Sequence, residues 1–165
     1  MSRERYVKIR DWLKARPGRL FCLRLLYRIL PMAVAAGYAA CLAVMALAEP
    51  RLLPAGLAVP AAVFALVTVF RAFLDFPRPY EVWGLPPLVS KDKKGHSFPS
   101  RHAASAGVIA MAWWRLSAPA GILFLAVAAG VAATRVLAGV HFVRDAAAGL
   151  AFGAGLGALA LLIGF

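Results

Sequence analysis

Residues 29–48 run for twenty positions without a charged side chain. As a helix that stretch is about 30 Å long, which matches the hydrocarbon core of a bilayer. Four further apolar stretches follow at 52–70, 99–114, 120–134 and 145–165. Hydrophobic residues make up 62% of the chain and the mean hydropathy is +0.76, whereas a globular domain has roughly 45–50% apolar residues. A backbone inside lipid must satisfy its own N–H and C=O groups, and stretches of this length do so as helices. The expectation is an all-α integral membrane bundle of about five transmembrane helices, multi-pass and compact, from a chain of 165 residues.

Nine of the 19 Lys and Arg residues fall in residues 1–28, interleaved with Tyr6, Ile9, Trp12, Leu13, Leu20 and Leu23 around a break at Pro17-Gly18. Apolar residues near helical spacing among cations describe a basic amphipathic helix lying on a bilayer. The expected organisation is therefore an interfacial segment, 1–28, followed by a membrane-embedded domain, 29–165. A cleaved signal peptide is not expected, because the apolar run continues at spanning length with no small-residue cleavage site. The net charge of +12 sits beside apolar spans rather than on a soluble basic face. Anionic lipid head groups, not nucleic acid, are the implied partners. Cys22 and Cys41 have no metal-ligand spacing and read as small packing residues.

Two features interrupt this pattern. Residues 71–97 are polar and carry Pro77, Pro79, Pro86, Pro87, Gly84 and Gly95, so no continuous helix is expected there, and loops this long usually serve a function. The last span places Gly149, Gly153 and Gly157 four residues apart, a small-residue face suited to close helix packing.

Two spans separate the loop ending near His102 from the polar segment 135–145, so both emerge on the same membrane face. That face collects Arg71, Asp75, Arg78, Ser100, Arg101, His102, Arg135, His141 and Asp145. Ionisable side chains at span ends are costly and normally face a bundle interior or a water-filled site. Pro99 at a first helical position would leave the N–H groups of Ser100, Arg101 and His102 without intrahelical partners, which outlines an anion site. Guanidinium groups around a helix N-terminus suit a phosphate. One imidazole can attack phosphorus while a second protonates the departing oxygen. His141 and Asp145 stand four apart, so the carboxylate could orient that ring, which marks His141 as nucleophile and His102 as acid. Asp75 and Glu81 are expected to balance nearby arginines, and Lys91, Lys93 and Lys94 to lie in solvent or against head groups. No carboxylate cluster suggests a metal site.

Arg71 with six residues before Arg78-Pro79, then Pro99-Ser100-Arg101-His102, then Thr134-Arg135 with five residues before His141 and three before Asp145 together resemble the three-part signature of the type 2 phosphatidic acid phosphatase superfamily. The resemblance implies a lipid phosphatase without metal or other cofactor. Arg71, Arg78 and Arg135 would hold phosphate oxygens with Ser100 completing the cradle; His102 would be the acid, His141 the nucleophile and Asp145 its orienting group. Arg71 stands where the family usually has Lys, Thr134 where it has Ser, and Arg101 where it has Gly. A side chain at Arg101 would either crowd the backbone cradle or add a further cation for a diphosphate, and the second is the preferred reading.

Small bacterial members of that family make undecaprenyl diphosphate the leading substrate and the bacterial inner membrane the expected location, with phosphatidic acid and phosphatidylglycerophosphate as rivals. A vanadium-dependent haloperoxidase of the same superfamily would be larger and soluble. A non-catalytic lipid-phosphate binder or flippase would need the arginines but not the paired histidines. Cation counting places the N-terminus and the site in the cytoplasm, whereas the family's bacterial lipid phosphatases usually face outward; a spanning 12–28 segment would reverse the count. Nothing in the sequence sets the oligomeric state.

Overall fold

The computed structural model describes residues 2–164, and all regular structure among them is helical. The order is α1 (Arg3–Lys14), α2 (Pro17–Ala48), a 3-10 turn (Pro50–Leu52), α3 (Leu53–Phe73), α4 (Pro79–Trp83), α5 (Arg101–Leu116), α6 (Ala118–Leu137) and α7 (Val143–Leu162). Four of these segments are long and apolar enough to cross a membrane: α2, Pro50–Phe73, α6 and α7. With α5 they are the five expected spans.

Ser2 caps α1, its side chain accepting the Arg5 N–H at 3.4 Å. The break at Pro17 is a fresh helix start, with proline in the first turn of α2 where it sacrifices no intrahelical bond. From there α2 continues for 32 residues, about 48 Å and well beyond a hydrocarbon core of about 30 Å. Residue 28 is thus not a helix end. The basic segment consists of α1 and the first turns of α2.

α5 has only 16 residues, short for a span, and its surroundings explain why this suffices. It is the central helix, packed against α7 and α6 and also against α3 and α2. Ala103, Ala104, Ala106, Val108 and Ala110 are buried along it, so it is shielded from lipid by its neighbours. The surrounding helices present Met32, Leu47, Phe73, Leu123 and Leu162 outward, as lipid-facing surfaces do.

The glycine face of α7 packs against this central helix. A Cβ on Gly153 would overlap the carbonyl group of Ala104, one on Gly149 would overlap the Ser100 carbonyl oxygen, and one on Gly157 would lie 2.7 Å from Met111 Cβ. From the α5 side, a Cβ on Gly107 would lie 2.9 Å from Leu150 O. This backbone-to-backbone approach sets the first turn of α5 against the first turn of α7, where Ser100 N–H donates to Asp145 O at 2.9 Å.

The polar segment between α3 and α5 is tied down rather than loose. Ser97 N–H donates to Phe76 O (2.8 Å), Leu88 N–H to Ala138 O (3.0 Å) and Arg24 Nε to Leu88 O (2.9 Å). Asp75 and Glu81 do not balance arginines. Asp75 Oδ1 accepts the His96 N–H at 2.8 Å, while Glu81 Oε2 accepts the N–H groups of Arg78 at 2.8 Å and Gly95 at 2.9 Å. In an irregular loop the unpaired backbone donors claim those carboxylates first.

Candidate active site

Three arginines on different elements are held in place, two by backbone carbonyls and one by an aromatic ring. Arg71, in the last turn of α3, donates from one terminal nitrogen to Ser97 O (3.3 Å) and Pro99 O (2.6 Å). Arg78, at the start of α4, donates to Gly95 O (3.0 Å) and Val140 O (3.2 Å). Arg135, in the last turn of α6, carries its guanidinium 3.8 Å above the ring of Tyr27 from α2, a cation–π contact. All three are buried. Carbonyls and a ring face orient them without cancelling their charge.

They converge on a small pocket of about 50 Å³. His102 and His141 line it with Arg101, Tyr27, Lys91 and Lys93, so two of the three lysines assigned to solvent or head groups form part of its wall. The polar loop folds back over the helix ends and carries them there. Burial holds the Lys91 pKa below the ordinary ammonium range, and Arg78, Lys93, Arg135 and Arg101 push the same way.

The α5 terminus differs from the expectation in one respect. The first helical residue is Arg101, with Ser100 as N-cap, and the Ser100 N–H is committed to Asp145 O. Pro99 precedes the helix because residues 97–100 cross to meet α7. The helix start is therefore two residues later than Pro99, and its orphan donors begin at Arg101. Ser100 is fully buried behind the pocket and its Oγ has no hydrogen-bond partner.

His141 lies in the connection between α6 and α7, 5% exposed. Asp145 is the third residue of α7, and its Oδ2 accepts the Phe142 N–H at 3.0 Å. Because the helix begins at Val143, beyond His141, the two side chains do not pair directly: Nδ1 and Oδ2 are 3.9 Å apart, outside hydrogen-bonding range. Ser97 bridges them. Its Oγ donates to Asp145 Oδ2 at 2.6 Å and lies 3.3 Å from His141 Nδ1. A hydroxyl has one proton, and here the carboxylate takes it, so Nδ1 must carry the hydrogen of that second contact. His141 Nε2 is then the nitrogen with a free lone pair.

Burial pushes the His141 pKa down, Asp145 pulls it back, and Arg78 and Arg71 push it down again, leaving it below its ordinary value. The neutral, nucleophilic ring is therefore the dominant form at neutral pH. An acid limb in kcat/KM reporting this group has its midpoint below about 6.5. Asp145→Asn removes the group that raises the pKa, so that limb moves further down in pH. Pre-steady-state or steady-state pH profiles of the two proteins check the sign, and an upward movement contradicts it.

The structure brings together Arg71, Arg78, Arg101, Arg135, His102 and His141 around the pocket, with Ser100 and Asp145 buried behind it. Sequence reasoning missed Ser97, Tyr27 and the two lysines. No periodicity or spacing marks them; Ser97 is one serine in a polar loop, and Tyr27 is one aromatic among many in a basic segment. Ser97→Ala is expected to lower kcat by about 10–100-fold with KM little changed, as loss of an outer-shell orienting partner does. Steady-state phosphate release measures both.

Behind the pocket a groove of about 410 Å³ runs between α2, α3 and α5. Val34, Phe64, Ala106 and Ile109 give it apolar walls. Arg101 and His102 line both the groove and the cationic pocket. Polar and apolar cavities thus meet at the first turn of α5.

A membrane helical bundle here gathers buried cations around two histidines, beside an apolar groove. The chain belongs to the PAP2 superfamily, whose family pattern it matches over residues 51–165, and that membership supports a phosphatase enzyme. No curated protein matches it. Among solved structures it is similar to the LpxE protein of Aquifex aeolicus, with a TM-score of 0.58 and 21% identity over 87% of this chain and 94% of that one. It is also similar to a transmembrane PAP2-type phosphatidylglycerolphosphate phosphatase of Bacillus subtilis, with a TM-score of 0.53 and 18% identity over 96% of this chain and 92% of that one. At these identities the likeness is one of fold. Tyr27 and α1 lie outside the matched family region.

Proposed function

We propose that this protein is a membrane phosphatase that hydrolyses a lipid phosphate or diphosphate through a phosphohistidine intermediate, without a metal. The observation that carries this reading is the meeting of an apolar groove and a cationic pocket at Arg101 and His102. A lipid tail fits the groove, its phosphate fits among the arginines, and the bond between them then lies beside His102.

In the proposed reaction, His141 Nε2 attacks phosphorus, the P–O bond to the lipid breaks, and His102 gives its proton to the departing oxygen. A bound phosphate dianion favours the protonated form of His102 that this step requires. Water then attacks the phosphohistidine, its proton returns to His102, and the P–N bond breaks to release phosphate and neutral His141. Asp145 acts on His141 through Ser97. The partnerless Ser100 Oγ and Arg135 Nε are suited to phosphate oxygens, since buried polar atoms left unsatisfied call for a ligand.

Undecaprenyl diphosphate in a bacterial inner membrane is the leading substrate, with phosphatidic acid and phosphatidylglycerophosphate as rivals. In this reading α1 and the first turns of α2 lie among head groups on the face that carries the site. A non-catalytic binder or flippase is the weaker reading, because binding alone has no use for the Ser97–Asp145 arrangement behind a neutral His141. Phosphate release from a panel of these lipids by the purified protein in detergent, with a chelator present, tests the reading. Release despite the chelator supports it; bound lipid with no release from any of them defeats it.

A further inference from the structure

A second cavity, of about 270 Å³, adjoins the catalytic pocket. Thr68, Ala72, Lys94 and His96 line it and not the catalytic pocket, while Arg71, Arg78, Lys93 and Arg101 line both cavities. We infer that this cavity is a subsite for a second phosphoryl group of the same substrate. The inference rests on the phosphatase reading and narrows it to lipids that carry a diphosphate.

Charge is the first argument. Seven Lys and Arg side chains wall the two cavities and, among the described residues, no carboxylate does. None of the seven forms an ion pair with a described carboxylate. Two carboxylates of the loop, Asp75 and Glu81, accept backbone N–H groups. A single phosphate brings at most about two negative charges, which leaves most of this field unbalanced. A diphosphate offsets more of it and places its second group where Lys94 is.

Position is the second argument. Phe64 lines the apolar groove and Thr68 lines the second cavity, and they stand one turn apart on the same face of α3. Arg101 lines the groove, the second cavity and the catalytic pocket alike. The path therefore runs from a tail in the groove, to an inner phosphate beside Thr68, Lys94 and Arg101, to a terminal phosphate before His141. The side chain of Arg101 is the joint between the three. His96 closes the rim, its Nδ1–H donating to Arg71 O at 2.7 Å, and so ties the second cavity to an arginine of the first.

The test compares a polyprenyl monophosphate with the diphosphate of the same chain, using the purified full-length protein, Lys94→Gln and the conservative Lys94→Arg; Thr68 is left in place because its hydroxyl donates to Phe64 O at 2.7 Å. Lys94 is exposed, so both variants should fold, and thermal melting in detergent verifies it. The wild type is expected to favour the diphosphate. Lys94→Gln is expected to lose about tenfold in kcat/KM for the diphosphate, as removal of one charge-assisted contact does, while its monophosphate turnover and both activities of Lys94→Arg stay within about twofold of wild type. Equal losses for both substrates, or no loss for either, overturn the subsite and leave the phosphatase reading standing. Phosphate released from neither substrate by the wild type overturns the phosphatase reading and the subsite with it.

Discussion

His141→Ala is expected to lower phosphate release by at least about 10³-fold from every lipid phosphate the wild type accepts, because it deletes the attacking atom rather than a contact. The ring is small and sits in a connection between helices, so the fold should persist. Thermal melting of the variant in detergent should stay close to wild type, and lipid phosphate should still bind, since Arg71, Arg78 and Arg135 are held by carbonyls and by Tyr27 and not by the imidazole. His141→Ala that retains a tenth of wild-type activity would exclude the covalent mechanism. Alkaline quenching of wild type during turnover supplies the complementary measurement, because a phosphohistidine survives base and is lost on acidification, whereas a phosphoserine ester survives acid.

Gly153→Leu is expected to have the next largest effect, and for a different physical reason. A Cβ at this position overlaps the Ala104 carbonyl, so α5 and α7 must separate to admit any side chain. Overpacking of this kind costs about 1–3 kcal/mol and sometimes more. The separation also stretches the Ser100–Asp145 backbone bond of 2.9 Å, on which the relation between the α5 terminus and Asp145 depends. Activity should therefore fall even at temperatures where the variant remains folded. Gly155→Leu is the control, since a Cβ there meets nothing within 4 Å and faces outward from the bundle. Equal melting temperatures for the two variants would remove the argument that the glycine face sets the site.

The two predictions draw on different kinds of legibility. His141 was readable from the sequence because its neighbours in the motif are also its neighbours in chemistry: Arg135 six residues before and Asp145 four residues after, on a segment that parity places opposite Arg71 and Arg78. The glycine face was readable as packing, from its spacing, but its partner was not. That it clamps the start of α5 to the start of α7 follows only from the way the helices cross.

The loop was the least legible part. Asp75 and Glu81 looked like counter-ions and instead hold backbone N–H groups. Lys91 looked solvent-facing and is half-buried in the pocket wall, while Lys93 reaches the same wall from an exposed position. Both errors have one cause. In an irregular segment a side chain's partner depends on the three-dimensional path of the backbone, which residue type and spacing do not encode.

The sequence by itself determined five helical spans, a basic N-terminal segment and the convergence of Arg71, Arg78, His102, Arg135 and His141 on one membrane face. Those conclusions depend on the transfer cost of each residue and on counting crossings, both of which can be read along the chain. The tertiary structure alone decided that Ser97 stands between His141 and Asp145, that Tyr27 lies beneath Arg135, and that Arg101 joins an apolar groove to two cationic cavities. These are contacts between residues up to 108 positions apart, made by ångström-scale placement of loop and helix ends, and no local pattern in the chain carries that information.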